Sequence, residues 1–93
     1  MEFRHSVEMS ISREEFFRLL PAAVGPFVID GDTIWPADGS RRWRVRLTSL
    51  AGHRLGSMVV PRHRVDIAVE GCTEAEAGAF MDRLGRGFLR GGG

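Results

Sequence analysis

Polar and apolar positions alternate from Phe3 to Ile11, with His5, Val7, Met9 and Ile11 on one parity and Ser6, Glu8 and Ser10 on the other, as in a half-buried strand. The period then changes. Ser12 followed by Glu15 forms a capping box, and Phe16, Leu19, Leu20 and Ala23 fall on one helical face. Pro21 lacks the amide that its position requires, so this helix is expected to end or kink there, and Gly25 and Pro26 complete the turn.

Asp30-Gly31 and Asp38-Gly39 each lie between short apolar or aromatic runs. Asp-Gly suits the type I′ hairpin turn, whose central residues both need positive φ. Antiparallel strands are therefore predicted over 27–29, 33–35 and 42–50. In the third, Trp43, Val45 and Leu47 point one way and Arg42, Arg44 and Arg46 the other. A turn over 51–54 then leads to a strand pair, 55–60 and 62–70, or to one long strand bent at Pro61, where proline indicates an edge or a bulge. A second helix is predicted from Thr73, with a capping box to Glu76 and an apolar stripe of Ala77, Phe80, Met81, Leu84 and Phe88. Gly85 and Gly87 weaken it, and residues 91–93 read as a flexible glycine tail.

The order strand, helix, strands, helix predicts one α+β domain over residues 1–90, an antiparallel meander sheet with two amphipathic helices on one face. An internal echo runs through it. Arg4-His5-Ser6-Val7-Glu8-Met9-Ser10-Ile11 aligns with Arg62-His63-Arg64-Val65-Asp66-Ile67-Ala68-Val69, and each run leads to a capped helix, with Glu70, Gly71 and Cys72 as an insertion in the second copy.

With 93 residues there is room for one domain, and 43% hydrophobic with 27% charged residues argues against disorder. A single cysteine, Cys72, excludes an internal disulfide. No window approaches the length of apolar sequence that spans a membrane, so a cytoplasmic protein without membrane contact is expected. All thirteen basic residues are arginine, and seven of them lie between Arg41 and Arg64, where there is no acid.

That arginine segment is the first candidate for chemistry. Arg42, Arg44 and Arg46 form a row spaced about 7 Å apart, and with Arg62 and Arg64 they make a candidate nucleic-acid or polyanion surface. Two features oppose that reading. Trp43 lies on the apolar parity, away from the basic face, so single-stranded bases would lack a stacking platform. Glu8, Asp66 and Glu70 share the outer parity and can pair with the arginines across the sheet.

A second candidate is a small apolar ligand held between sheet and helices by Trp43, Phe80 and Met81. His5 and His63 would approach one another if their strands paired in parallel, while His53 falls in the expected turn; two imidazoles alone make a poor metal site. His63 lies roughly 30 Å along an extended strand from Cys72, too far to activate its thiol. Turn aspartates Asp30, Asp32 and Asp38 suit local backbone amides better than calcium. No phosphate-loop, dinucleotide or nucleophile-elbow pattern occurs, and neither a catalytic residue, a metal nor a cofactor is assigned. The sequence therefore points to a non-enzymatic module that binds a protein partner or its own copy. Phe17, Trp35 and Leu89, off the main apolar stripes, are the residues that such contact would cover.

Overall fold

The structure, a computed structural model, describes the chain from residue 2 to residue 92 and its side chains to residue 88. Its elements are β1 (Phe3–Met9), α1 (Arg13–Val24), β2 (Phe27–Asp30), β3 (Thr33–Pro36), β4 (Trp43–Leu55), β5 (Met58–Val69) and α2 (Glu74–Gly92). The five strands form one antiparallel sheet in the order β1-β5-β4-β3-β2. The fold class is the α+β arrangement expected from the alternation of periods.

Core side chains come from one parity of the sheet and one stripe of each helix. Ile34, Val45, Leu47, Val65, Ile67 and Val69 meet Phe16, Leu20 and Ala23 of α1 and Ala77, Phe80 and Leu84 of α2, all buried. Phe16 stacks on Phe88 at 5.1 Å between ring centroids, which joins the start of α1 to the far end of α2. Phe17 is half-buried, edge-on to Phe16 and 6.0 Å from Phe27, with the Arg13 guanidinium 4.8 Å above its ring.

Both helices begin on side-chain caps. In α2 the box is reciprocal: the Glu76 amide donates to Thr73 Oγ1 at 3.2 Å and the Thr73 amide donates to Glu76 Oε1 at 3.0 Å. In α1 the Glu15 amide donates to Ser12 Oγ at 3.1 Å, but the Glu15 carboxylate turns to Arg18. Pro21 does not end α1. The missing donor removes one bond, to the carbonyl of Phe17, yet the turn continues to Val24 and closes when the Gly25 amide donates to the Pro21 carbonyl at 2.9 Å. Burial of Ala23 against α2 holds that last turn in place. At the other end of the chain α2 runs to Gly92, so helix covers two of the three residues expected as a tail, and Gly93 lies outside the described residues. Each added helical residue gains a bond once nucleation has been met.

Three turns differ from expectation. The first hairpin turns on Gly31-Asp32, one residue later than the Asp-Gly pair suggests, with φ +64° at Gly31 alone. Glycine as the first central residue is the type II′ solution rather than type I′. Asp38-Gly39 does not form a tight hairpin turn; it lies in a six-residue connection, 37–42, where the Ser40 amide donates to Asp38 Oδ1 at 2.9 Å. The predicted turn over 51–54 is strand. β4 continues to Leu55, and the reversal falls on Gly56-Ser57, with Gly56 at φ +62° and Leu55 opposite Met58.

Pro61 explains the irregularity in this hairpin. The register passes from Leu50↔Arg62 to His53↔Val60, so Ala51 and Gly52 together oppose Pro61 in a bulge. A proline inside a ladder has no amide to offer, and a bulge is where a sheet tolerates it. A Cβ on Gly52 would lie 2.5 Å from Val59 Cγ1, so a larger residue there requires the exposed Val59 side chain to turn aside.

The sequence echo has a structural counterpart. β1 and β5 pair as His5↔Ile67, Val7↔Val65 and Met9↔His63. His5 and His63 are equivalent in the echo, as are Met9 and Ile67, so each partner of a residue is the equivalent of the other's partner. A local pseudo-two-fold axis therefore passes between Val7 and Val65.

Candidate functional site

The sheet face away from the helices gathers the arginines. Cross-strand pairing places Arg4, Ala68 and Arg44 in one row and Ser6, Asp66, Arg46 and Thr33 in the next. Glu8, Arg64 and Thr48 form the row after that, followed by Arg62 beside Leu50. Arg42 is not part of this array. It precedes β4, and its carbonyl accepts the Glu70 amide at 2.7 Å; hydrogen bonds from the Thr73 amide and hydroxyl hold the Glu76 carboxyl at the start of α2 below its usual pKa, and the Arg42 charge adds to that lowering.

Every arginine of the array has a carboxylate. Arg62 reaches Glu8 at 2.6 Å, Arg64 reaches Asp66 at 3.2 Å, and Arg46 reaches Asp32 at 3.6 Å. Arg44 spans Glu2 and Glu70, both at 3.2 Å, and Arg4 shares Glu2 at 3.1 Å. Five arginines thus face five carboxylates, Glu2, Glu8, Asp32, Asp66 and Glu70, and the ten residues carry no net charge. Individually such exposed pairs contribute about 0–1 kcal/mol. Together they remove the field on which a phosphate-tracking surface depends.

Asp66 anchors the centre of the array. It accepts the Ser6 hydroxyl and the Arg64 guanidinium, and chiefly the former holds its pKa below the ordinary value of 3.8. A carboxylate with a lowered folded-state pKa contributes stability above its unfolded pKa, and that contribution is lost as pH falls through the folded value. Asp66→Asn is therefore expected to lower stability at about pH 6 and to have little effect near pH 2, an outcome that urea melts at the two pH values would check.

Trp35 also faces outward, on the parity of Val28 in the neighbouring strand, and the Arg41 guanidinium lies 4.6 Å above its ring. Arg41 adopts φ +54° to reach it, the only non-glycine residue with positive φ among the described residues. Phe17 and Trp35 are therefore both covered within the chain, and the side chain of Leu89 lies outside the described residues.

Trp43 and Phe80 lie 5.9 Å apart and line a cleft of about 410 Å³ at the N-terminus of α2 together with Val69, Cys72 and the charged Arg42, Glu70, Glu76 and Arg83. Met81 packs against the core outside that cleft. The result is a shallow, mixed surface, unlike the enclosed apolar site that the three residues suggest. Cys72 is buried, with Sγ 3.5 Å from the Val69 carbonyl.

The two strand histidines are separated by antiparallel pairing. His5 lies opposite Ile67 and His63 opposite Met9, four positions along the ladder, roughly 13 Å. His63 is buried, and its Nδ1 is 2.7 Å from the Ile11 carbonyl. A carbonyl only accepts, so Nδ1 carries the proton and His63 clamps the link from β1 to α1. Among the described residues no three His, Cys, Asp or Glu side chains are grouped to hold a metal ion, and no helix is long and apolar enough to cross a membrane.

The feature that sequence reasoning missed is an arm. β1 pairs with β5 only as far as Met9↔His63, and β3 pairs with β4 only at Thr33↔Arg46 and Ile34↔Val45. Beyond these points the β4–β5 hairpin has no further strand on either side among the described residues. Leu55, Met58 and Val59 at its tip are 57%, 67% and 60% exposed. Val28 and Ile29 on the edge strand β2 are each 50% exposed, on opposite faces of the sheet. The overall extents of 45 × 25 × 20 Å fit a domain with a projecting ribbon. The available signal is Leu-Gly-Ser-Met over 55–58, a glycine-led pair between apolar residues that suits a two-residue hairpin turn.

No protein-family model, curated protein or solved structure matches the chain.

Proposed function

We propose that this chain is a non-enzymatic protein-binding module that works by pairing with its own copy through the β4–β5 arm. The observation that carries this reading is the exposure of Leu55, Met58 and Val59 on a ribbon with two open edges. An isolated two-stranded hairpin is at best marginally stable in water, and open apolar strands invite further pairing. A strand paired antiparallel with its own copy is two-fold symmetric, so an open edge is complementary to itself, and pairing through one of the two edges closes at two. The neutrality of the arginine face favours this reading over polyanion binding.

The test is sedimentation velocity over a dilution series, comparing the wild type with a Met58→Glu variant. The wild type is expected to pass from dimer to monomer on dilution and the variant to be monomeric throughout. The thermal midpoint of the variant, measured at the monomer limit, should stay close to that of the wild type, because exposed substitutions usually change stability by about 0.5 kcal/mol or less. A wild type that is monomeric at every concentration would sink the proposal.

A further inference from the structure

On the outer sheet face, β5 presents Arg62, Arg64, Asp66, Ala68 and Glu70 in alternation, and Ala68 is the one small side chain among them. Arg4 of β1 and Arg44 of β4 lie opposite it on either side, in the same row. Two guanidinium groups thus flank a methyl group, two strand spacings or about 10 Å apart at the backbone. The side chains close over Ala68, which is 5% exposed, and a cleft of about 270 Å³ remains between them, with Ser6, Arg46 and Asp66 on its wall.

Like charges converging on one point need an anion between them. Here it is Glu2: Arg4 Nε and Arg44 Nη2 both donate to the same oxygen, Oε1, at 3.1 and 3.2 Å. Chiefly through Arg4, and also through Arg44, this holds the Glu2 carboxyl below its usual pKa. Glu2 belongs to no strand and its side chain is 36% exposed, while that of Arg4 is 70% exposed. Exposed pairs of this kind are weakly held and are screened further by salt. The Glu2 carboxylate is therefore a replaceable occupant.

We infer that Arg4 and Arg44 form an oxyanion site over Ala68 that takes the phosphate group of a small monoester in place of the Glu2 carboxylate. A phosphate dianion offers three oxygens where the carboxylate offers two, and guanidinium forks match it bidentately. The cleft accommodates one such group with a short organic arm. A nucleic-acid strand would find the flanking rows already neutralised by Glu8, Asp32 and Asp66. The site is separate from the arm and does not depend on self-pairing.

Titrating ¹⁵N-labelled protein with inorganic phosphate and with glycerol phosphate, ionic strength held constant with chloride, reads the site directly. The expected result is saturable shifts confined to the amides around Arg4, Ser6, Arg44 and Ala68, with a dissociation constant on the order of 1 mM. Glu2→Gln should tighten it about two- to fivefold by removing the competitor. Arg44→Gln should weaken it about tenfold or more by removing charged hydrogen bonds. Arg4→Gln, at an exposed edge position, should do the same in a protein whose spectrum is otherwise unchanged. Tighter binding of the monoester than of phosphate would mean that the organic arm is also held, and equal binding that only the phosphate is read; both support the site. Shifts that never saturate and spread over all exposed arginines, or an affinity unaltered by Glu2→Gln, would overturn it.

Discussion

Phe16→Ala is expected to lower the unfolding free energy by about 3–5 kcal/mol, the usual range for removing a fully buried aromatic ring. Phe16 has no exposed surface, stacks on Phe88 and meets Phe17 edge-on at 5.5 Å. Its ring fills the space where the start of α1, the end of α2 and the sheet converge, and each wall is a helix or sheet that cannot collapse inward without losing other contacts. A domain of this size has roughly 5–15 kcal/mol in total, so the variant should retain only a small margin. At about 4–8 °C per kcal/mol, the thermal midpoint should fall by roughly 12–40 °C. Phe17→Ala is the comparison, because Phe17 is half-buried and covered on one side by Arg13. It should lose clearly less. A Phe16→Ala midpoint within a few degrees of the wild type would mean that the two helices are not docked on the sheet as described.

The stripe that contains Phe16 was legible because helical periodicity depends only on which residues avoid water, and α1 and α2 each bury one continuous stripe. The same holds for Val45 and Leu47, and for Val65, Ile67 and Val69, on one parity of the two central strands. Turn positions were less legible because local chemistry permits more than one solution. Gly31 serves equally as the second residue of one turn type or the first of another, and the choice is made by the strand pairing Asp30↔Thr33. Pro21 illustrates a different limit. Its local cost is real, but tertiary burial of Ala23 outweighs it, and burial across sequence-distant elements is invisible in a local window.

The arm escaped for a further reason. The bulge at Ala51 and Gly52 moves the register by one, so the parity that marks β4 from Trp43 to Leu50 reverses before Leu55. An alternation that changes phase in mid-strand looks like the end of a strand. The arginine array was legible in part: the outer parity of Arg44, Arg46, Arg62 and Arg64 and the acids Glu8, Asp66 and Glu70 follow from alternation. What alternation could not supply was the antiparallel register, which brings Arg4 level with Arg44 across Ala68 and leaves Arg42 outside the array. Glu2, ahead of the first strand, could not be placed at all until that register was known.

Gly87→Ala and Gly85→Ala are expected to change stability in opposite directions, although both add one methyl group to the same helix. Sequence alone treats the two glycines alike, as weak points where alanine would be better by about 1 kcal/mol. In the structure a Cβ at Gly85 meets nothing within 4 Å, so Gly85→Ala should deliver that gain by reducing the freedom of the unfolded chain. A Cβ at Gly87 would lie 2.8 Å from Ala23 Cβ and 3.3 Å from both the Cα and the N of Ala23. Two of those three atoms are backbone, so no side chain can swing aside; the helices must separate where Ala23 and Gly87 let them approach. Overpacking of this kind costs about 1–3 kcal/mol, which offsets the propensity gain and should leave Gly87→Ala less stable than the wild type. The separation would also reach Phe88 and its stack on Phe16 one residue away. Parallel urea melts of the two variants give the comparison, with the slope of the transition confirming that the unfolded states are alike. Two gains of similar size would mean that α1 and α2 are not in close contact at Ala23 and Gly87.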